Sequence, residues 1–257
     1  MDDAEVVLGG GSTHTGEVVR IGREVHRPRS AGADLVEAFL LHLEQVGFDA
    51  APRFLGVDDA GRQVLTFVEG DATSEPTWLR DDDANRSHLV DVARLLRRLH
   101  EAGHDFVAPA GVTSRRPCPA PGSTWLHGDV HYGNLVYRGD RPVALLDWDF
   151  ATRGDALYDV VTLLFSSRCP RPDRPAEYRE RADAARETLD VLLAAYGAGP
   201  DERRRATRVA GAMCAGAAEY LLHVGPERSG ALTAEEFSDE VARRHYLADW
   251  WRDQPTL

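Results

Sequence analysis

The sequence predicts an α+β fold in two parts: a small N-terminal antiparallel-sheet lobe with one helix, and a larger, mainly helical C-terminal lobe. Three observations carry this. Up to residue 70 the apolar residues fall mostly in short runs broken by Gly and Pro, as strands require. One segment within that region instead repeats at three- and four-residue spacing. Beyond residue 80 the helical period dominates and gives way to strands only briefly, around residues 124–146.

The elements follow in order. Residues 6–8 form a short apolar run that ends in the glycine-rich stretch 9–16. Residues 17–21 and 24–27 read as two strands across Gly22-Arg23, the second stopped by Pro28. Leu35, Val36, Phe39, Leu40, Leu43 and Val46 then mark a helix, with Asp34 as its expected N-cap and Gly47 past its end. Residues 54–57 and 63–68 make a second hairpin and lead to Glu69-Gly70-Asp71, where the expected boundary divides 1–70 from 71–257. Leu89, Val92, Ala93, Leu95, Leu96 and Leu99 stripe a helix ending near His100. A Pro-rich loop then reaches a strand at 124–126 and the polar stretch His127-Gly128-Asp129-Val130-His131-Tyr132-Gly133-Asn134. Strands at 135–137 and 143–146 close on Asp147-Trp148-Asp149. Helices are expected over 176–196 and 201–224, and a last one opens on a capping box at Thr233 and Glu236.

Composition narrows the function. With 43% hydrophobic residues over 257 positions the chain buries a real core, and its net charge of −12 argues against nucleic-acid and anionic-membrane partners. No apolar run approaches the ~18 residues of a membrane span. The N-terminal residues lack the basic and apolar regions of a signal peptide. Cys118, Cys169 and Cys214 are scattered without a CxxC pair, so reduced thiols and a cytoplasmic location are expected. All 30 basic side chains counted as Lys plus Arg are Arg. The absence of Lys excludes Schiff-base catalysis and a P-loop, so any phosphate gripped by a cation is gripped by Arg or by a metal.

Asp129 and Asn134 share one loop, and Asp147 follows after a hairpin. Three oxygen-bearing side chains on a strand–loop–strand unit can converge on one point. Mg²⁺ takes oxygen ligands and needs only one or two from the protein beside substrate phosphates, which frees a further carboxylate to accept a hydroxyl proton. The spacing D-x-x-x-x-N followed by a later Asp is that of the kinase catalytic loop. A second arrangement stays open at this point: His127, Asp129 and His131 alternate as H-x-D-x-H, a pattern that suits Zn²⁺ in a metal-dependent hydrolase.

HGDVHYGNLVY, then ALLDWDF, then Gly154-Asp155-Ala156-Leu157-Tyr158-Asp159 resembles the aminoglycoside phosphotransferase family, which has a protein-kinase-like fold and includes choline and other small-molecule kinases. The resemblance implies an Mg²⁺-dependent kinase that moves the γ-phosphate of ATP or GTP to a hydroxyl of a small molecule, an aminoglycoside-type antibiotic among the candidates. It implies Asp129 as base, Asn134 and Asp147 as metal ligands, His127 as a prop behind the loop, and Asp159 as an acceptor of hydrogen bonds from the loop. His131 orders the loop or touches substrate, the former preferred, and Asp149 reads as a solvated loop carboxylate.

In the small lobe, Gly10, Gly11 and Ser12 stand where a phosphate-covering loop would lie. Arg27 stands where a kinase carries its strand-three Lys, with Glu37 on the following helix as the matching acid and Glu44 as the alternative. The backbone at Thr66 and Val68 would hold adenine. The missing Lys keeps a second alternative open, a nucleotide-binding kinase-like protein impaired in catalysis. Acidic residues at Asp71, Glu75 and Asp81-Asp82-Asp83 would suit a cationic acceptor. The acceptor's identity and the oligomeric state are left open.

Overall fold

A period of two and short turns build the first sheet. The computed structural model describes residues 5–8, 18–72, 82–166, 175–225 and 233–255, with the side chains of 82–84, 166 and 175–183 excepted. Strands β1 (Glu5–Val7), β2 (Val19–Ile21), β3 (Glu24–Arg27), β4 (Phe54–Val57) and β5 (Gln63–Thr66) form one antiparallel sheet in the order β1-β2-β3-β5-β4. Helix α1 (Ala33–Gln45) lies between β3 and β4 in the chain. Its apolar stripe Leu35, Val36, Phe39, Leu40 and Leu43 is buried, as the three- and four-residue spacing requires. It starts two residues earlier than the sequence suggests. The N-cap is Gly32, in left-handed backbone at φ 86°, and Asp34 falls in the first turn, where its charge still opposes the helix dipole.

The rest of the chain is mainly helical. Helix α2 (Asp82–Ala102) buries Leu89, Val92, Ala93, Leu95, Leu96 and Leu99. Two small antiparallel pairs follow: β6 (Thr124–Leu126) with β9 (Thr152–Gly154), and β7 (Leu135–Arg138) with β8 (Arg141–Leu145). Helices α3 (Leu157–Ser166), α4 (Pro175–Tyr196), α5 (Pro200–Val224) and α6 (Ala234–Arg252) complete it. The capping box at Thr233 and Glu236 is formed, each side chain bonding the other's backbone N–H.

The two parts meet along a continuous core. Phe39 of α1 is fully buried, with ring centroids 4.9 Å from Phe106 and 5.8 Å from both Trp125 and Trp148. The Leu145 N–H bonds the Ala50 carbonyl at 3.0 Å. Past β5, Asp71 and Tyr137 exchange two backbone hydrogen bonds of 2.8 Å. Gly70 makes this close approach possible: at φ 144°, a Cβ there would stand 2.5 Å from the Tyr137 carbonyl oxygen.

Candidate active site

Residue 127 leaves β6 and residue 134 enters β7, so the loop between them hangs off two buried strands. The His127 ring is fully buried. Its Nε2 lies 2.8 Å from the Leu146 carbonyl, and its Nδ1 accepts the Asp129 N–H at 3.3 Å. Those partners assign the neutral ring with its proton on Nε2. Leu146 in turn gives its N–H to the Asn134 carbonyl at 2.8 Å. Both backbone groups of Leu146 are therefore gripped by the 127–134 loop, which sets Asp147, the next residue, beside Asn134.

Asn134 donates its Nδ2 to the Asp129 carbonyl at 2.9 Å and to Asp129 Oδ2 at 3.2 Å. Its Oδ1 takes no hydrogen bond among the described residues. His131 accepts the Gly133 N–H on Nδ1 at 3.0 Å and directs Nε2 at Asp129 Oδ2, 3.6 Å away. Burial alone would raise the Asp129 pKa, but the His131 ring, the nearby His127 and the Asn134 amide outweigh it and hold the carboxyl below the ordinary aspartate range. Asp129 is thus a half-buried carboxylate held ionised by its neighbours.

Gly128 sits at φ 84°, where a Cβ would fall 2.1 Å from the Phe150 carbonyl oxygen, so only glycine fits between the loop and the 148–150 turn. Behind the loop, the fully buried Asp159 of α3 accepts the His127 N–H at 2.8 Å and the Gly128 N–H at 2.9 Å. His100 Nε2 meets the same carboxylate at 3.1 Å, while its Nδ1 pairs with the Tyr196 hydroxyl at 2.9 Å. Three donors offset the cost of burying that charge and tie α2, α3 and α4 to the loop.

Asp147 heads a single helical turn over Trp148–Phe150 with φ 56° and ψ 69°. It is the one non-glycine residue with positive φ among the described residues. Its side chain is exposed, and its Oδ1 lies 3.2 Å from Arg27 Nη1. The other arm of that guanidinium, Nη2, bonds Asp149 Oδ1. Asp149 is only 5% exposed, and its second oxygen lies 3.4 Å from Arg115 Nη1. The expectation of a solvated Asp149 is corrected: the turn after Asp147 swings the carboxylate inward between two arginines.

Arg27 therefore crosses from β3 to the 147–149 turn, and the expected Arg27–Glu37 pair is not formed. Glu37 is instead gripped by Arg29, which gives Nε and Nη2 to its two oxygens at 2.9 Å each, and by Gln63 Nε2 at 3.2 Å. Arg29 follows Pro28 and also reaches Asp34 at 2.5 Å, so it is the arginine nearest the first turns of α1. Glu44 pairs with Arg53 at 3.4 Å.

At the junction, the Thr66 N–H bonds the Arg53 carbonyl, the Arg53 N–H turns to Thr66 Oγ1, and the Phe67 N–H bonds the Arg23 carbonyl. The Val68 N–H takes part in none of these bonds. Gly10, Gly11 and Ser12 lie outside the described residues, as do Glu75 and Asp81.

The hydrolase arrangement does not assemble. Both nitrogens of His127 are spent on backbone partners, and no group of three or more His, Cys, Asp or Glu among the described residues is set to hold a metal ion. Asp149, Arg29, Arg115 and His100 were not legible as site residues. Only His100 left a trace, since it continues the apolar face of α2 from Ala93 and Leu96 and so had to point inward.

The five-stranded sheet with one helix and the mainly helical remainder form the two lobes of a protein-kinase-like fold. Residues 115–206, which carry the 127–134 loop and the 147–159 motif, match the model of the phosphotransferase enzyme family. The trifolitoxin immunity protein of Rhizobium leguminosarum bv. trifolii is 32% identical over 157 residues, which cover 59% of this chain and 57% of that relative's length. A choline/ethanolamine kinase family protein from Mesorhizobium loti superposes with a TM-score of 0.66 at 18% identity, over 98% of this chain and 89% of its own. Amicoumacin kinase in complex with AMP-PNP, Ca²⁺ and Ami superposes with a TM-score of 0.63 at 14% identity, over 96% and 88%. No described helix is long and apolar enough to cross a membrane.

Proposed function

We propose that the protein is a small-molecule kinase that transfers the γ-phosphate of ATP or GTP to a hydroxyl of its acceptor, with Asp129 as base. One observation carries the reading: an ionised Asp129, fixed by the Asn134 amide, beside the open Oδ1 of Asn134 and the exposed carboxylate of Asp147. Two such oxygens fit Mg²⁺, which accepts one or two protein ligands next to phosphates. When bound there, Mg²⁺ neutralises charge on the transferring phosphates. The chain does the rest. Asp129 orients the acceptor hydroxyl and takes its proton. His131 and Asn134 keep that carboxylate charged and aimed. Arg27 supplies the cation that Lys supplies elsewhere, and the Thr66 carbonyl and Val68 N–H receive the base.

With a lobe division at residues 70–71, the nucleotide would lie between the lobes and the acceptor against the C-terminal one. The relative's name speaks of immunity to a toxin, and phosphorylating a toxin's hydroxyl is one chemical route to immunity. An antibiotic-type acceptor, aminoglycosides included, is therefore the first to test. The catalytically impaired alternative rests on the missing Lys, and Arg27 offers a cation at that place.

The decisive experiment is Asp129→Asn. Nucleotide-dependent thermal stabilisation should persist while turnover falls by about 10²–10⁴, the range for losing a general base. Full turnover in that variant would overturn the assignment.

A further inference from the structure

The phosphotransferase reading asks for a strand-three cation aimed at the phosphates, and a carboxylate on α1 is the expected aiming group. Here that carboxylate, Glu37, is occupied by both arms of Arg29 and by Gln63. We propose that Asp149 is the aiming group instead and positions Arg27 for the nucleotide phosphates, with Arg115 holding Asp149 from the other side. The inference rests on the phosphotransferase reading and concerns a residue that reading leaves without a role.

A carboxylate with 5% of its side chain exposed is costly unless it is paired, and Asp149 has a guanidinium at each oxygen. Neither oxygen is left over for a metal. Arg27 is nearly as enclosed, at 11% exposure, so the Arg27–Asp149 contact is the fixed half of the arrangement. The other half is exchangeable. Arg27 Nη1 rests on Asp147, whose side chain is exposed and whose oxygens the reading assigns to Mg²⁺. Were Asp147 to hold Mg²⁺, Nη1 would be free for the phosphates while Nη2 would stay on Asp149. One three-residue turn would then place both a metal ligand and the cation. The cation would depend on the C-terminal lobe and not on the position of α1.

The test uses the full chain and ADP binding measured by calorimetry, first in EDTA and then with Mg²⁺. Asp149→Asn should weaken ADP about tenfold even without metal, the order of one charge-assisted hydrogen bond. Asp149→Glu should recover most of that loss. In an Arg27→Ala background Asp149→Asn should add less than about twofold, because the two residues act as one unit. Unchanged metal-free affinity in Asp149→Asn would overturn the inference while leaving the reading intact. So would a loss seen only with Mg²⁺, which would make Asp149 a metal ligand, or losses that multiply in the double variant. Arg115→Ala keeps Asp149 and loosens its grip; a weakening of about two- to threefold supports the inference if Asp149→Asn folds poorly, and wild-type affinity overturns it. Wild-type protein that binds no nucleotide at all would overturn the reading and the inference together.

Discussion

Asp147 shows how one residue is asked for two things at once. Its side chain is wanted for its oxygens, and its backbone occupies the left-handed region at φ 56°, which costs an L-residue with a Cβ about 1–2 kcal/mol. Truncating the side chain in two ways separates these. Asp147→Ala and Asp147→Gly both remove the carboxylate and both should abolish turnover. Only the alanine keeps the backbone cost, so the glycine variant should be the more stable of the two by about 1 kcal/mol in denaturant unfolding. Equal stabilities would mean the turn is not strained at this position. The same residue marks what sequence can and cannot tell. That Asp129 and Asn134 share one loop and that Asp147 follows a hairpin was legible from the apolar runs on either side. Asp149 was not, since whether the second carboxylate of Asp-Trp-Asp faces water or an arginine depends on a turn with no signature of its own. The Arg27–Glu37 pairing failed for a related reason: in a chain with Arg at both 27 and 29, spacing does not say which one reaches the helix.

At the scale of elements, the striped helices and most of the short strands were readable, β3, β4 and β6 to the residue, while β9 was not. The stripes of α1 and α2 predict their buried faces except for Val46, which lies just past α1 and is exposed, whereas β9 has three residues and exists because β6 pairs with it. The 127–134 loop is held in the same non-local way. His127, Gly128 and Asp159 only make sense as a set, and Gly128 is the point where space runs out. Gly128→Ala places a methyl 2.1 Å from the Phe150 carbonyl oxygen on top of an unfavourable φ of 84°. Gly139, at φ 58° in the β7–β8 turn, has nothing within 4 Å of its would-be Cβ. Gly139→Ala should therefore cost only the backbone strain, about 1 kcal/mol, with activity retained. Gly128→Ala should cost more than about 2 kcal/mol and remove turnover, because the loop must shift to admit the methyl. Chemical denaturation of the two variants side by side measures the difference, and equal costs would refute the close-approach argument.

Across the whole molecule, the question is whether the two lobes behave as separate bodies joined by a hinge or as one cooperative unit. The polar links include the Leu145 N–H bond to the Ala50 carbonyl, His42 Nε2 against the Ala102 carbonyl, the Arg98–Asp49 pair, the Arg138 Nε bond to the Glu69 carbonyl, and the reach of Arg27 to the 147–149 turn. The apolar link is larger. Phe39 comes from α1, the one helix among the small lobe's described residues, but is enclosed by Phe106, Trp125 and Trp148, all from the C-terminal part, and Trp148 in turn packs edge-on against His127 at 4.8 Å. The floor of the site and the core of α1 are thus the same cluster, so loosening one should loosen the other. Phe39→Ala should destabilise the protein by about 3–5 kcal/mol, the cost of a buried aromatic truncated to alanine. In wild-type protein, denaturation followed by far-UV circular dichroism and by tryptophan fluorescence should give coincident transitions, since Trp125 and Trp148 cannot lose their packing while α1 stays in place. In the variant the fluorescence transition should move to lower denaturant together with the loss of helix. Two resolved transitions in the wild type would show that the small lobe unfolds by itself. In that case the Arg27–Asp149 contact, and not the aromatic cluster, would carry the coupling between the lobes.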